Sequence, residues 1–158
     1  MPKDKLTIFI VDAGVIAAAY AALTLLLAPV SFGIVQVRLS EVLCIFSMFT
    51  PAAIPGLTIG CLIANLVGGS GVWDVVLGSL ATLIGSLGMY FLRKKTYLAP
   101  LVNVLSNGII VGLMLYKIYG FVNAFLCILL VCGEEMIPLY VLGLPLASTI
   151  RKRGLFQS

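Results

Sequence analysis

This sequence predicts an all-α, polytopic membrane protein, a six-helix transmembrane bundle with short loops, and three observations carry that prediction. The 158 residues are 61% hydrophobic and only 10% charged, with a mean hydropathy of +1.18, whereas a water-soluble domain carries roughly 25% charged residues. The apolar residues fall in long runs, and a spanning helix needs about 20 residues, rising about 1.5 Å each, to cross about 30 Å of hydrocarbon. The basic residues cluster at the ends of those runs. Six spans with short loops use nearly the whole chain, so residues 1–158 are expected to form a single transmembrane domain.

Helix 1 is predicted over 6–28, behind Lys3 and Lys5, and is too long for the apolar core of a cleaved secretory signal. Pro29, Ser31 and Gly33 then form a first loop, a candidate lid over 29–35. Helix 2 covers 35–50 and is broken by Pro51 and Pro55. Helix 3 covers 54–68 and stops at Gly68-Gly69-Ser70-Gly71. Helix 4 covers 74–92 and ends in Arg93-Lys94-Lys95; helix 5 covers 97–117. The last segment, 120–150, ends in Arg151-Lys152-Arg153. Helices 2 and 3 are short for full spans, and a re-entrant hairpin is the alternative. The last segment is longer than the hydrocarbon core requires, so tilt or a break near Gly133 or Pro138 is expected.

Charge sets the orientation. With four spans before the middle basic cluster and two after it, Lys3, Lys5, Arg93, Lys94, Lys95, Arg151, Lys152 and Arg153 share one side, leaving Arg38 and Lys117 on the other. That bias places both termini in the cytoplasm of a bacterial cell membrane. It also accounts for the net charge of +4 without invoking nucleic acid. Cys44, Cys61, Cys127 and Cys132 lie inside apolar runs, form no CxxC pair, and have no histidine to join them. They read as small apolar filler, and no metal or cofactor is expected.

Small residues mark where helices approach one another, because lipid offers no hydrophobic reason to associate and packing must supply one. Ala13, Ala17 and Ala21 recur at spacings of four on helix 1, with Ala18 and Ala22 alongside. They serve either internal packing or docking of a separate membrane subunit. Similar strips on helix 3 (Gly56, Gly60, Ala64, Gly68) and helix 4 (Gly78, Ala81, Gly85, Gly88) read as internal.

A charged side chain within the bilayer asks for a partner or a cavity. Arg38 and Glu41 share a face at the start of helix 2; Asn65 ends helix 3, and Trp73 with Asp74 opens helix 4. These five are placed near the external surface, as an interfacial salt bridge of Arg38 with Glu41 beside an aromatic anchor or as part of a ligand site. Asn103 and Asn107 stack one turn apart on helix 5, and Glu134 with Glu135 lies deep in the last segment. A structural carboxylate at that depth needs a fixed cation, and no lysine or arginine stands at matching depth in the sequence. A polar ligand cavity opening outward accounts for them better. No GxxxxGK[ST] occurs and no histidine is available for a nucleophile–base pair. Nothing marks a reaction, and energy for uphill transport must come from an ion gradient or from partners.

Three stretches then become specific: Gln36-Val-Arg38-Leu-Ser-Glu41-Val-Leu, Thr50-Pro-Ala-Ala-Ile-Pro-Gly-Leu57, and Gly60-Cys-Leu-Ile-Ala-Asn65. With Asp74-Val-Val-Leu-Gly78-Ser-Leu-Ala-Thr82, Gly133-Glu134 and Gly143-Leu-Pro145-Leu, the chain resembles the QueT family over about residues 8–150. The resemblance implies a substrate-binding (S) component of an energy-coupling factor transporter for queuosine precursors, binding its ligand from outside. It implies docking, through the alanine strip of helix 1, onto a transmembrane coupling subunit that carries two ATPases. A deazaguanine presents adjacent N–H donors that a carboxylate accepts in pairs. Glu134 or Glu41 fits that role, with Asn65 or Asn107 at the ring carbonyl and Trp73 or Tyr140 stacked on the base. An aminomethyl cation would take a further carboxylate, Asp74 or Glu135. The rival readings are an S component for riboflavin, biotin or thiamine, a stand-alone ion-coupled carrier, and a membrane enzyme with Glu134 or Asp74 as acid/base.

Overall fold

A computed structural model of the chain describes residues 3–31 and 38–154. Every regular element among those residues is helical. Helix 1 is Lys3–Leu26, followed by a single turn at Ala28–Ser31; helix 2 is Leu39–Met48 and helix 3 is Ala53–Val67. Helix 4 is Asp74–Phe91, helix 5 is Ala99–Lys117 and helix 6 is Ala124–Arg153. Helices 1, 4, 5 and 6 are long and apolar enough to cross a membrane, while helices 2 and 3 are shorter. Most of the expected lid, 29–35, and the expected start of helix 2 lie outside the described residues.

Side-chain contacts give the direction of each rod. Tyr20 meets Glu41 and Thr24 meets Ser40, so helices 1 and 2 run antiparallel. Gly56 packs on Ala13 and Gly60 on Ala17, so helices 1 and 3 run parallel. Helices 3 to 6 then alternate, with Asn65 on Asp74, Ser106 on Ala81, and Gly108 on Cys132. Arg151 at the end of helix 6 donates to the Arg93 carbonyl at 2.8 Å and to the Thr96 hydroxyl, and its guanidinium lies 5.8 Å from the Phe49 ring. The turn after helix 2 therefore reaches the same basic end as the loop after helix 4. Helices 2 and 3 traverse the bundle rather than turning back halfway.

Helix 2 departs from the expected α-helix: Leu39–Met48 is a 3₁₀-helix. At about 2.0 Å per residue its ten residues reach about 20 Å, where an α-helix would reach about 15 Å. A short, thin rod thus covers the depth of the bundle. Its period of three sets Glu41, Cys44 and Ser47 in one row, and all three are buried. Helix 2 forms the centre of the core, with Cys44 and Ile45 packed among Tyr20, Leu57, Cys61 and Leu139.

Helix 6 runs unbroken for 30 residues, absorbing Pro138 in a π-helical stretch, Ile137–Gly143. Proline lacks the N–H for an i→i−4 bond, and the wider turn makes room for its ring. A Cβ added at Gly133, the other expected break point, would meet nothing within 4 Å.

The alanine strip is spent inside the bundle. A Cβ on Gly56 would stand 2.7 Å from the Ala13 carbonyl oxygen, and one on Gly60 would stand 2.8 Å from that of Ala17. Ala17 and Ala21 are buried. The next row of the same helix, Gly14, Ala18 and Ala22, is the exposed one.

Candidate functional site

The end of the bundle opposite the basic clusters holds a cavity of about 490 Å³. Two loops rim it, contributing Gly68, Gly69 and Ser70 between helices 3 and 4, and Tyr119 and Phe121 between helices 5 and 6. Each loop turns on a glycine in the left-handed region, Gly69 at φ 74° and Gly120 at φ 75°, which residues with a Cβ rarely adopt. The cavity then descends to Glu135, eleven residues past Ala124 and so about 16 Å along helix 6.

Six of the ten residues expected in the site line this cavity: Arg38, Glu41, Asp74, Asn107, Glu134 and Glu135. They come from four sequence regions brought together by helices 2, 4, 5 and 6. Formal charge on the wall is one guanidinium against four carboxyl groups. Arg38 is the cation that the sequence did not place at the depth of Glu135.

Glu41 lies deeper than expected. Instead of sitting near the surface with Arg38, it is 1% exposed and accepts three side-chain hydrogen bonds. Its Oε1 accepts from the Tyr20 hydroxyl, and its Oε2 accepts from Asn103 Nδ2 at 3.2 Å and Cys44 Sγ at 3.0 Å. Asn103 also donates to Glu135 Oε2 at 3.4 Å, so one amide bridges two carboxylates beneath the cavity. Asn103 itself is buried in this layer, outside the cavity lining. Asn107, one turn along, donates to the Asn103 carbonyl at 3.2 Å and lines the cavity.

Three further expected residues stand elsewhere. Asn65 is fully buried and donates to the Asp74 carbonyl at 3.1 Å, a carbonyl at the head of the π-helical turn Asp74–Gly78 where the α-helical ladder is interrupted. Trp73 is 53% exposed on the outside of the bundle. Tyr140 donates to the Tyr97 carbonyl at 2.9 Å, at the basic end and outside the cavity lining. Neither aromatic reaches the cavity to stack there.

Two tyrosines that the residue pattern did not single out are central. Tyr20, fully buried on helix 1, anchors Glu41; a phenol in the middle of an apolar span needs a partner, which is the signal that could have found it. Tyr119 closes the rim by donating to Asp74 Oδ2. That hydrogen bond holds the Tyr119 phenol up at about 12. The bond is therefore complete below about pH 10, the ordinary tyrosine value, and lost only as pH rises towards about 12.

Comparison with known proteins places these features in a family. The model of the QueT transporter family matches residues 10–152. The queuosine precursor transporter QueT of Lactococcus lactis subsp. cremoris is 40% identical over 87 residues, covering 53% of this chain and 50% of that protein. The match thus spans about half the length of that curated relative. No solved structure matches the chain.

Proposed function

The chain belongs to the QueT transporter family, and from that premise we propose that it captures a queuosine precursor, a deazaguanine base, in the cavity between helices 2, 4, 5 and 6. The observation that carries this reading is the wall itself: Glu41, Asp74, Glu134 and Glu135 against the single Arg38 in about 490 Å³. That volume is within the range of small-molecule sites, roughly 300–1,000 Å³. A carboxylate pairs with the adjacent N–H donors of a guanine-like edge. The surplus of carboxyl groups favours a precursor that also carries an aminomethyl cation.

Positive charge gathers at the other end, where Arg151 reaches Arg93. The positive-inside rule sets that end in the cytoplasm and opens the cavity to the exterior. On this reading uptake is driven, as the family resemblance implies, by a coupling subunit with two ATPases; the sequence itself holds no GxxxxGK[ST] phosphate-binding loop. That subunit docks on the exposed row of helix 1, Gly14, Ala18 and Ala22; Ala13, Ala17 and Ala21 face inward. Purified protein should bind aminomethyl deazaguanine with calorimetric heat and one-to-one stoichiometry. Absence of that heat, with riboflavin, biotin or thiamine binding in its place, overturns the assignment. Uptake into vesicles that hold this chain alone would instead support an ion-coupled carrier, with the bridged pair Glu41 and Glu135 as its proton sites.

The rim makes a kinetic prediction. Tyr119→Phe removes the donor to Asp74 and should speed ligand release about threefold to tenfold, the worth of one hydrogen bond of about 0.5–1.5 kcal/mol. Trp73, the sole tryptophan, adjoins Asp74, so its fluorescence in stopped flow reports the rate. An unchanged release rate would assign the bond no part in gating.

A further inference from the structure

Hydrogen-bonding capacity is shared unevenly between the two deepest carboxylates. A carboxylate offers about four acceptor positions. On Glu41, protein donors take three of them: the Tyr20 hydroxyl at Oε1, and Cys44 and Asn103 at Oε2, at 3.0 and 3.2 Å. Glu135, among the described residues, receives one hydrogen bond, from Asn103 to Oε2 at 3.4 Å. Both residues line the cavity. Asp74 is already engaged by Tyr119 at the rim.

The donors on Glu41 are themselves fixed. Tyr20 is pinned where helices 1 and 3 touch, since a Cβ on Gly60 would lie 2.9 Å from its Cβ. Asn103 is backed by helix 4, where a Cβ on Gly85 would lie 2.8 Å from its Cγ. Glu41 therefore has no freedom to turn towards an incoming ligand, and little acceptor capacity left for one. Glu135 has both an open oxygen and a place on the cavity wall.

We infer that the two carboxylates divide the work: Glu135 accepts the charged donor group of the ligand, while Glu41 is a positioning residue. Held by Tyr20 and Cys44, Glu41 fixes the amide of Asn103, and that amide fixes Glu135. The assignment rests on reading the cavity as the precursor site, and it names which of the two deepest carboxylates discriminates charge.

The test uses full-length protein in nanodiscs and two probes that differ in charge but not in heavy-atom count: 7-aminomethyl-7-deazaguanine and its 7-hydroxymethyl analogue. Glu135→Gln should weaken the aminomethyl probe about tenfold to a hundredfold, the range for a hydrogen bond to a charged group, and leave the neutral probe nearly unchanged. Glu41→Gln should weaken both probes by the same factor, because it loosens geometry rather than removing the charge that is read. Tyr20→Phe, which deletes one hydroxyl and keeps the ring, should follow the Glu41 pattern, and it stands in for that variant should Glu41→Gln not fold. Selective loss of the aminomethyl probe in Glu41→Gln or Tyr20→Phe, or equal loss of both probes in Glu135→Gln, overturns the division of roles while leaving precursor capture intact. Failure of the unmodified protein to bind either probe overturns capture and the division of roles together.

Discussion

A single methyl group at Gly85 should weaken ligand binding by about a hundredfold. Gly85 lies on helix 4 directly behind Asn103, and a Cβ there would stand 2.7 Å from Ser106 Oγ and 2.8 Å from Asn103 Cγ, and closer still to Asn103 Oδ1. Neither neighbour has room to yield. Ser106 is tied to the Ala81 and Asn103 carbonyls at 3.1 and 3.0 Å, and Asn103 Oδ1 is buried without a hydrogen-bond partner among the described residues. The alanine side chain must therefore displace the amide that donates to Glu41 and Glu135. Average hydrogen bonds between membrane helices are worth only about 0.6 kcal/mol. These two end on carboxylates, where about 1.5–3 kcal/mol each is the better scale. Losing both, at the lower end of that scale, gives about 3 kcal/mol, the hundredfold stated. Calorimetry with the aminomethyl probe on Gly85→Ala measures it. Gly133→Ala is the matched control, because nothing lies within 4 Å of that glycine although it adjoins Glu134 and Glu135. A folded Gly85→Ala protein with unchanged affinity would remove Asn103 from the support of the site.

The helices were legible because run length and charge placement follow directly from the bilayer. A segment such as Ala99–Lys117 has no other stable form in hydrocarbon than a helix. The 3₁₀ geometry of Leu39–Met48 was not legible, since local sequence does not say how much depth a short rod must cover. That geometry also explains why Glu41 was placed too near the surface: it depends on how far helix 2 sinks between helices 1 and 6. The cavity carboxylates and Asn107 were found because charge and amide groups in apolar runs demand an account. Trp73 was misplaced because proximity in sequence to the cavity end says nothing of where a ring points, and Tyr140 because it lies too far along helix 6, at the basic end. Helix 1 carries two adjacent rows of small residues, Ala13-Ala17-Ala21 and Gly14-Ala18-Ala22, and no pattern within one helix tells which row meets helix 3. Gly56 and Gly60 decide it, and only in three dimensions.

Those same two glycines should separate stability from binding. Gly56→Ala and Gly60→Ala each push a methyl group into backbone, with the new Cβ 2.7 Å from the Ala13 carbonyl oxygen in the first case and 2.8 Å from that of Ala17 in the second. A flexible side chain would bend away; a helix backbone does not, so helices 1 and 3 must part. Overpacking of this kind costs about 1–3 kcal/mol, and each variant should unfold at lower temperature in detergent. The two should differ in what else they lose. Next to Gly56 stands Ile16, whose Cβ is 3.1 Å from the added atom, while next to Gly60 stands Tyr20, whose Cβ is 2.9 Å away. Ile16 holds nothing at the site, but Tyr20 holds Glu41. Gly60→Ala should therefore lower affinity for the aminomethyl and hydroxymethyl probes alike by about tenfold, one hydrogen bond to a carboxylate, while Gly56→Ala binds both as the unmodified protein does. Equal affinities in two equally destabilised variants would mean that the Tyr20–Glu41 contact braces the fold and not the site.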